Sequence, residues 1–152
     1  MKGFFPKRPV KSFLDLEVYQ KALAICVAVV KRTTEDTIKQ KKETELRTLI
    51  TTELTHRVLK IPLQIAQAHS WRFADQAKAL QTLEDTMTNA NLSVVYLEQY
   101  RDICNTGIET EFFEEHIKAL LALRQKVLYL QRSWKKFISP EGGGRHHVFE
   151  EL

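Results

Sequence analysis

Glu53-Leu-Thr-His56 sets a carboxylate and an imidazole three residues apart, on one face of any helix that carries them. The spacing matches the Glu-x-x-His pair with which carboxylate-bridged di-iron bundles hold their metal. That chemistry needs a second such pair and two further inward carboxylates, and the chain has no other Glu-x-x-His. No metal is therefore expected. Cys104 has no base beside it in sequence to make it a nucleophile. His146 and His147 stand without neighbouring ligands, and there is neither a glycine-rich phosphate loop nor a metalloprotease motif. The chain reads as a protein without cofactor or catalytic site. The alternative is an enzyme using Cys104, or Glu53 with His56.

What remains is charge. Net charge is +4, but its distribution matters more. Lys2, Lys7, Arg8 and Lys11 precede the first acid, Asp15. Residues 54–74 hold no acid against Arg57, Lys60 and Arg72. Residues 116–140 hold none against Lys118, Arg124, Lys126, Arg132, Lys135 and Lys136. Acids gather instead at Glu109, Glu111, Glu114 and Glu115. Segregated positive charge points to a polyanion or an acidic partner. For the last helix a second reading stands beside it, because bases near a C-terminus complement the helix dipole. Tyr129, Trp134 and Trp71, beside Arg72, interleave aromatics with the bases, which suits stacking on unpaired nucleotides. Trp134 also fits a core position. Lys7, Arg8, Lys11, Lys60, Arg72, Lys118, Lys126, Tyr129, Arg132, Lys135 and Lys136 are the candidate nucleic-acid contacts.

These residues must be positioned by helices. Between Ser12 and Ser139 the chain has one glycine, Gly107, and one proline, Pro62. Strands and hairpins need such breakers at their turns, so a stretch this long without them reads as helices with short links. Apolar periodicity predicts helices over 14–31, 44–69, 73–103 and 109–138. A basic arm (1–12) precedes this bundle (13–138) and a flexible tail (139–152) follows it. Ser12 with Asp15 resembles a capping box, and the second half of the first helix, apolar almost all round, should be buried on several sides. Residues 33–42 read as a polar connection.

In the second helix Leu46, Ile50, Leu54, Val58, Ile61, Ile65 and Ala68 form the core stripe, and Leu59, Leu63 and Ala66 form a second strip. Arg57 falls inside the stripe and should snorkel or pair with a carboxylate. Pro62 should bend the helix by displacing the carbonyl of Val58. Ser70 and Trp71 open the next connection. Ala79, Leu83, Met87, Ala90, Val94, Leu97 and Ile103 supply the core of the third helix, which Gly107 closes as a left-handed cap. In the fourth, Phe113, Ile117, Leu120, Leu121, Val127, Leu128, Trp134 and Ile138 face inward, with Phe112, Leu123, Leu130 and Phe137 widening the stripe. Short links imply an up-down-up-down all-α four-helix bundle. The second and fourth helices carry more apolar surface than one interior needs, and the commonest cover is another copy, assembling a ring or barrel. The other reading puts these strips under the arm or tail.

At 152 residues, 43% hydrophobic and 28% charged, the chain has the size and composition of one globular domain. The apolar run 23–30 is far below the roughly 20 residues that span a bilayer. No signal-peptide pattern opens the sequence, so the expected location is cytoplasmic, with Cys26 and Cys104 reduced.

Asp15-Leu-Glu-Val-Tyr-Gln-Lys-Ala22 resembles the opening of the small four-helix-bundle proteins first named for intervening sequences in 23S rRNA. Ile61-Pro-Leu-Gln-Ile-Ala-Gln-Ala68 is similar to their signature Ile-Pro-Ala-Asn-Ile-Ala-Glu-Gly. Gln64, Gln67 and Ala68 stand where that signature has Asn, Glu and Gly, so the apolar skeleton is kept and the polar groups are not. Ser133-Trp-Lys-Lys136 and the stretch 92–101 resemble a related branch, the accessory variability determinants of diversity-generating retroelements. The resemblance implies a homopentameric barrel with a basic surface that binds a reverse transcriptase and its template RNA. The alternative is an interaction scaffold of the wider family that meets an acidic protein.

Overall fold

The computed structural model describes residues 10–40 and 44–137. Within them the chain forms a 3-10 turn, Phe13–Asp15, and four α-helices: α1 (Glu17–Gln40), α2 (Glu45–Trp71), α3 (Gln76–Ile103) and α4 (Thr110–Phe137). No strand occurs among the described residues. The helix starts have side-chain caps where short polar residues allow them. Thr44 accepts the Arg47 amide at 3.1 Å, and Asp75 accepts that of Lys78 at 3.1 Å. Ser12 caps the 3-10 turn rather than α1, accepting from the Leu14 amide, while Asp15 accepts from Lys11.

Each helix packs along its two neighbours in a cycle, α1 with α2 and α4, α3 with α2 and α4, and the diagonal pairs face each other only through core side chains. This is the up-down-up-down four-helix arrangement. The α2–α3 pair packs most extensively and α1 least. The reason lies in α3, whose buried face includes small residues: Ala79, Thr82, Thr86, Ala90 and Ser93. The hydroxyls of Thr82, Thr86 and Ser93 donate to carbonyls one turn back, at 2.7 Å each. The polar atoms are thus satisfied within the helix and α2 can approach closely. Leu54, Val58, Ile61 and Ile65 of α2 join Leu83 and Leu97 of α3 and Phe113, Leu120 and Val127 of α4 in one core.

Several expectations are corrected. Residues 33–40 are not a connection but the last turns of α1. Leu23 and Val27 are each 42% exposed, so the apolar second half of α1 is covered on one side only. Leu46 is exposed and Arg47 is buried in its place. Ile103 and Leu121 lie outside the core, and Trp71 closes α2 rather than opening a link. Trp134, by contrast, is the core residue that its place in the α4 stripe predicts. Arg57 pairs not with a carboxylate but with the Asn89 side-chain oxygen at 3.1 Å, and Asn89 in turn donates to Gln64 at 2.8 Å. Surplus apolar surface falls on α1 (Leu23, Val27, Ile38) and α2 (Leu46, Leu49, Leu59, Leu63), not on α4, whose exposed apolar residues are Leu121 and Tyr129. Residues 138–152 and 1–9, which hold Ile138, the tail and most of the arm, lie outside the described residues.

The α1 extension and the burial of Arg47 have one cause. Asp36 and Arg47 are buried together, with Nη1 of Arg47 3.2 Å from Oδ2 of Asp36 and 3.0 Å from the Tyr100 hydroxyl. Nη2 donates to the Asn105 carbonyl. Tyr100 donates to Asp36 at 2.5 Å, and the Gly107 amide donates to the other carboxylate oxygen at 2.7 Å. A buried ion pair is tolerated only when its remaining polar atoms are also bonded, and here they come from α1, α2, α3 and the α3–α4 link. Gly107 is therefore no left-handed cap: its φ lies outside that region. A Cβ on it would sit 3.0 Å from the Gln40 amide nitrogen and 3.3 Å from Asp36. Gly107→Ala should cost about 1–3 kcal/mol by crowding a carboxylate that cannot retreat, read as a shift of the thermal midpoint.

The network titrates at both ends of the pH scale. Burial pushes the Asp36 carboxyl up, but bonds from Tyr100, the Gly107 amide, Thr106 and Gln40 outweigh it and leave the group below its ordinary value. Stability from a depressed carboxyl is present above the ordinary value of 3.8 and lost as pH falls through the lower folded value. Burial, then the Asp36 carboxylate, pushes the Tyr100 phenol up to about 12. That contribution is complete below 10.0 and lost as pH rises toward about 12. Thermal melts across pH should show both losses, and Tyr100→Phe should abolish the alkaline one.

Candidate nucleic-acid interface

The side of α4 opposite its core stripe is set by helical spacing alone. Phe113, Leu120, Leu123, Val127, Leu130 and Trp134 turn inward, which places residues 118, 129, 132 and 136 on the outer face. Lys118, Arg132, Lys135 and Lys136 are exposed, and Tyr129 is 57% exposed among them. No acid occurs on the helix from 116 onward. Helix-dipole complementarity accounts for Lys135 and Lys136 in the last turn, but its effect fades within one turn. It does not account for Lys118 in the first half of the helix, or for Arg132.

Lys126 is only half exposed, and its ammonium bridges to Glu17 of α1 at 2.9 Å. Glu17 also takes Lys21 at 2.8 Å. The two ammonium groups, Lys21 first, hold the Glu17 carboxyl down at about 2. Lys126 therefore staples α1 to α4 and is partly neutralised.

The antiparallel order carries the N-terminus of α1, the α2–α3 turn and the C-terminus of α4 to one end of the bundle. Two contacts fix the last two together. The His69 and Trp134 rings lie 6.4 Å apart, and the Gln131 amide donates to the Leu80 carbonyl at 3.1 Å. Arg72 lies in that turn, where Nη1 donates to the His69 carbonyl at 2.6 Å and the guanidinium lies 4.3 Å from the Phe73 ring centre. Lys11 is exposed just before the 3-10 turn. The structure thus brings Arg72, Lys11, Arg132, Lys135 and Lys136 to one end and sets Lys118, Lys126 and Tyr129 along the adjoining face. It does not bring Lys60 there. Lys60 sits half-buried on α2, diagonally across the bundle from α4. Lys7 and Arg8 lie outside the described residues.

Two residues of this end escape a reading by charge runs. Phe73 is 59% exposed, and the Lys78 ammonium lies 3.9 Å from the Trp71 ring centre. The signal is present as Trp71-Arg72-Phe73 followed by Lys78, but the intervening Asp75 breaks the acid-free run. That acid is occupied in capping α3.

Among the described residues no group of three or more His, Cys, Asp or Glu side chains could hold a metal ion. Glu53 is half-buried and His56 exposed on α2, where His56 lines a shallow threonine-rich groove against α1. Burial pushes the Cys104 thiol up, away from the thiolate that a nucleophile needs. No helix among the described residues is long and apolar enough to cross a membrane. Comparison of the chain with protein-family models, with curated proteins and with solved structures finds no match.

Proposed function

We propose that this chain is a non-enzymatic accessory protein of a diversity-generating retroelement, a homo-oligomer of four-helix bundles that binds template RNA and a reverse transcriptase through its basic surface in the cytoplasm. The observation that carries the nucleic-acid part is the outer face of α4, acid-free from residue 116 and bearing Lys118 and Arg132 where no helix dipole calls for them. The retroelement and the reverse transcriptase rest on the sequence resemblance. The assembly rests on the apolar side chains left uncovered on α1 and α2, with Ile38 73% and Leu49 60% exposed. A pentamer is the state that the resemblance implies. Backbone phosphates rather than base edges would meet α4, so binding there is largely independent of sequence.

Native mass spectrometry of the protein alone, then with a structured RNA, tests this reading. The expected spectra show a closed homo-oligomer, a pentamer, that takes up RNA without dissociating. A monomer that stays free of RNA would remove both parts, and an oligomer that takes up an acidic protein but no RNA would favour the scaffold.

A further inference from the structure

From the outer face of α2 we infer that it is a self-complementary seam, on which a second copy of this chain docks antiparallel about a twofold axis. The inference rests on the homo-oligomer reading above and names the contact within it. α2 is apolar on two sides. Its inner stripe fills the core, while Leu49, Thr52, His56, Leu59, Leu63 and Ala66 recur outside at steps of three and four residues. That is the spacing of a coiled-coil seam, and none of the six carries a carboxylate, an ammonium or a guanidinium. Leu49, Leu59 and Leu63 are 60%, 50% and 55% exposed, on a face that would be polar if it met only water.

Two features single out another copy as its cover. The steps read the same in both directions, so a copy running the opposite way keeps the register. Leu49 then meets Ala66 of the second copy, Thr52 meets its Leu63, and His56 meets its Leu59. Each layer sets a leucine against a smaller or flatter side chain, the alternation that lets facing helices interdigitate. The second feature is charge. Glu53 and Lys60 stand one heptad apart, on the flank whose Arg57 and Gln64 bond to Asn89 of α3. Both are half-buried, and among the described residues neither has an ion-pair partner. A twofold axis keeps this flank on one side and reverses its direction, which brings Glu53 of each copy to Lys60 of the other. Two ion pairs that one chain leaves unmade thus close across the seam. A twofold contact joins copies, or whole rings, in pairs.

Sedimentation equilibrium of the full-length protein across a dilution series tests the seam. Wild type should contain an even number of copies, either two chains or two rings. Lys60→Glu sets like charges against each other twice and should weaken this association about tenfold, with an unchanged helical spectrum. Adding Glu53→Lys reverses both members and should restore it, a recovery that a folding defect would not show. Leu59→Gln with Leu63→Gln should abolish it. A lone pentamer, association unaltered by Lys60→Glu, or a double reversal that fails to recover would overturn the seam and leave the homo-oligomer reading standing. A wild type that is monomeric at every concentration would overturn both.

Discussion

Replacing Arg47 by Ala should destabilise the bundle by about 3–5 kcal/mol, the usual effect of removing one partner of a buried ion pair. Asp36, 1% exposed in the wild type, would lose the cation beside its charge, and the Asn105 carbonyl would lose its donor. For a domain of this size that loss corresponds to a fall in thermal midpoint of roughly 10–20 °C, measurable by circular dichroism. Joint replacement of Asp36 by Leu and Arg47 by Met should recover part of it, since well-packed apolar residues often match a buried pair. Recovery should be incomplete, because the Tyr100 hydroxyl and the Gly107 amide also lose their acceptor. An Arg47→Ala protein that melts within a few degrees of wild type would show that the network contributes little.

The second large effect is on binding. Changing Lys118, Lys126, Arg132 and Lys136 to Gln should weaken RNA binding by about a hundredfold or more at low salt, because each phosphate left without its cation keeps its condensed counterions. The four will not contribute equally. Lys126 already bridges to Glu17, so restoring it alone should recover less affinity than restoring Lys118 or Arg132, and more stability. None of the four is in the core, and the variant should keep its helical spectrum. Full affinity in the fourfold variant would show that the outer face of α4 is not where RNA lies.

Much of this is legible in the sequence, and what is not has a common physical reason. The four helices follow from apolar spacing and from the rarity of Gly and Pro, both local properties of the chain. The basic face of α4 follows from the same spacing read on its outer side. The end of α1 escapes such a reading because residues 33–40 carry no apolar period. That segment is held by Asp36, whose partners lie 11, 64 and 71 residues away. Leu46 and Arg47 exchange places for the same reason. Periodicity puts Leu46 one turn before Ile50, and only a carboxylate from another helix makes the neighbouring guanidinium the buried one. Gly107 reads as a cap because it follows a helix, yet the need for glycine comes from Asp36 and Gln40 pressing on it from α1. The sharing of one bundle end by Arg72, Phe73 and the α4 bases is likewise set by topology, with His69 and Trp134 joining segments 65 residues apart in the chain.

The salt dependence of RNA affinity shows whether phosphates are what the basic face of α4 meets. Anisotropy titrations of wild type against one RNA at a series of salt concentrations should give a straight fall of log affinity with log salt. The slope should be about 0.9 for each phosphate contact on a duplex and about 0.7 on a single strand. With the α4 face and the adjoining turn engaged, the slope should reach several units and be shallower in the fourfold variant. Absence of RNA binding at low salt, or an affinity indifferent to salt, would show that this face does not bind a polyanion.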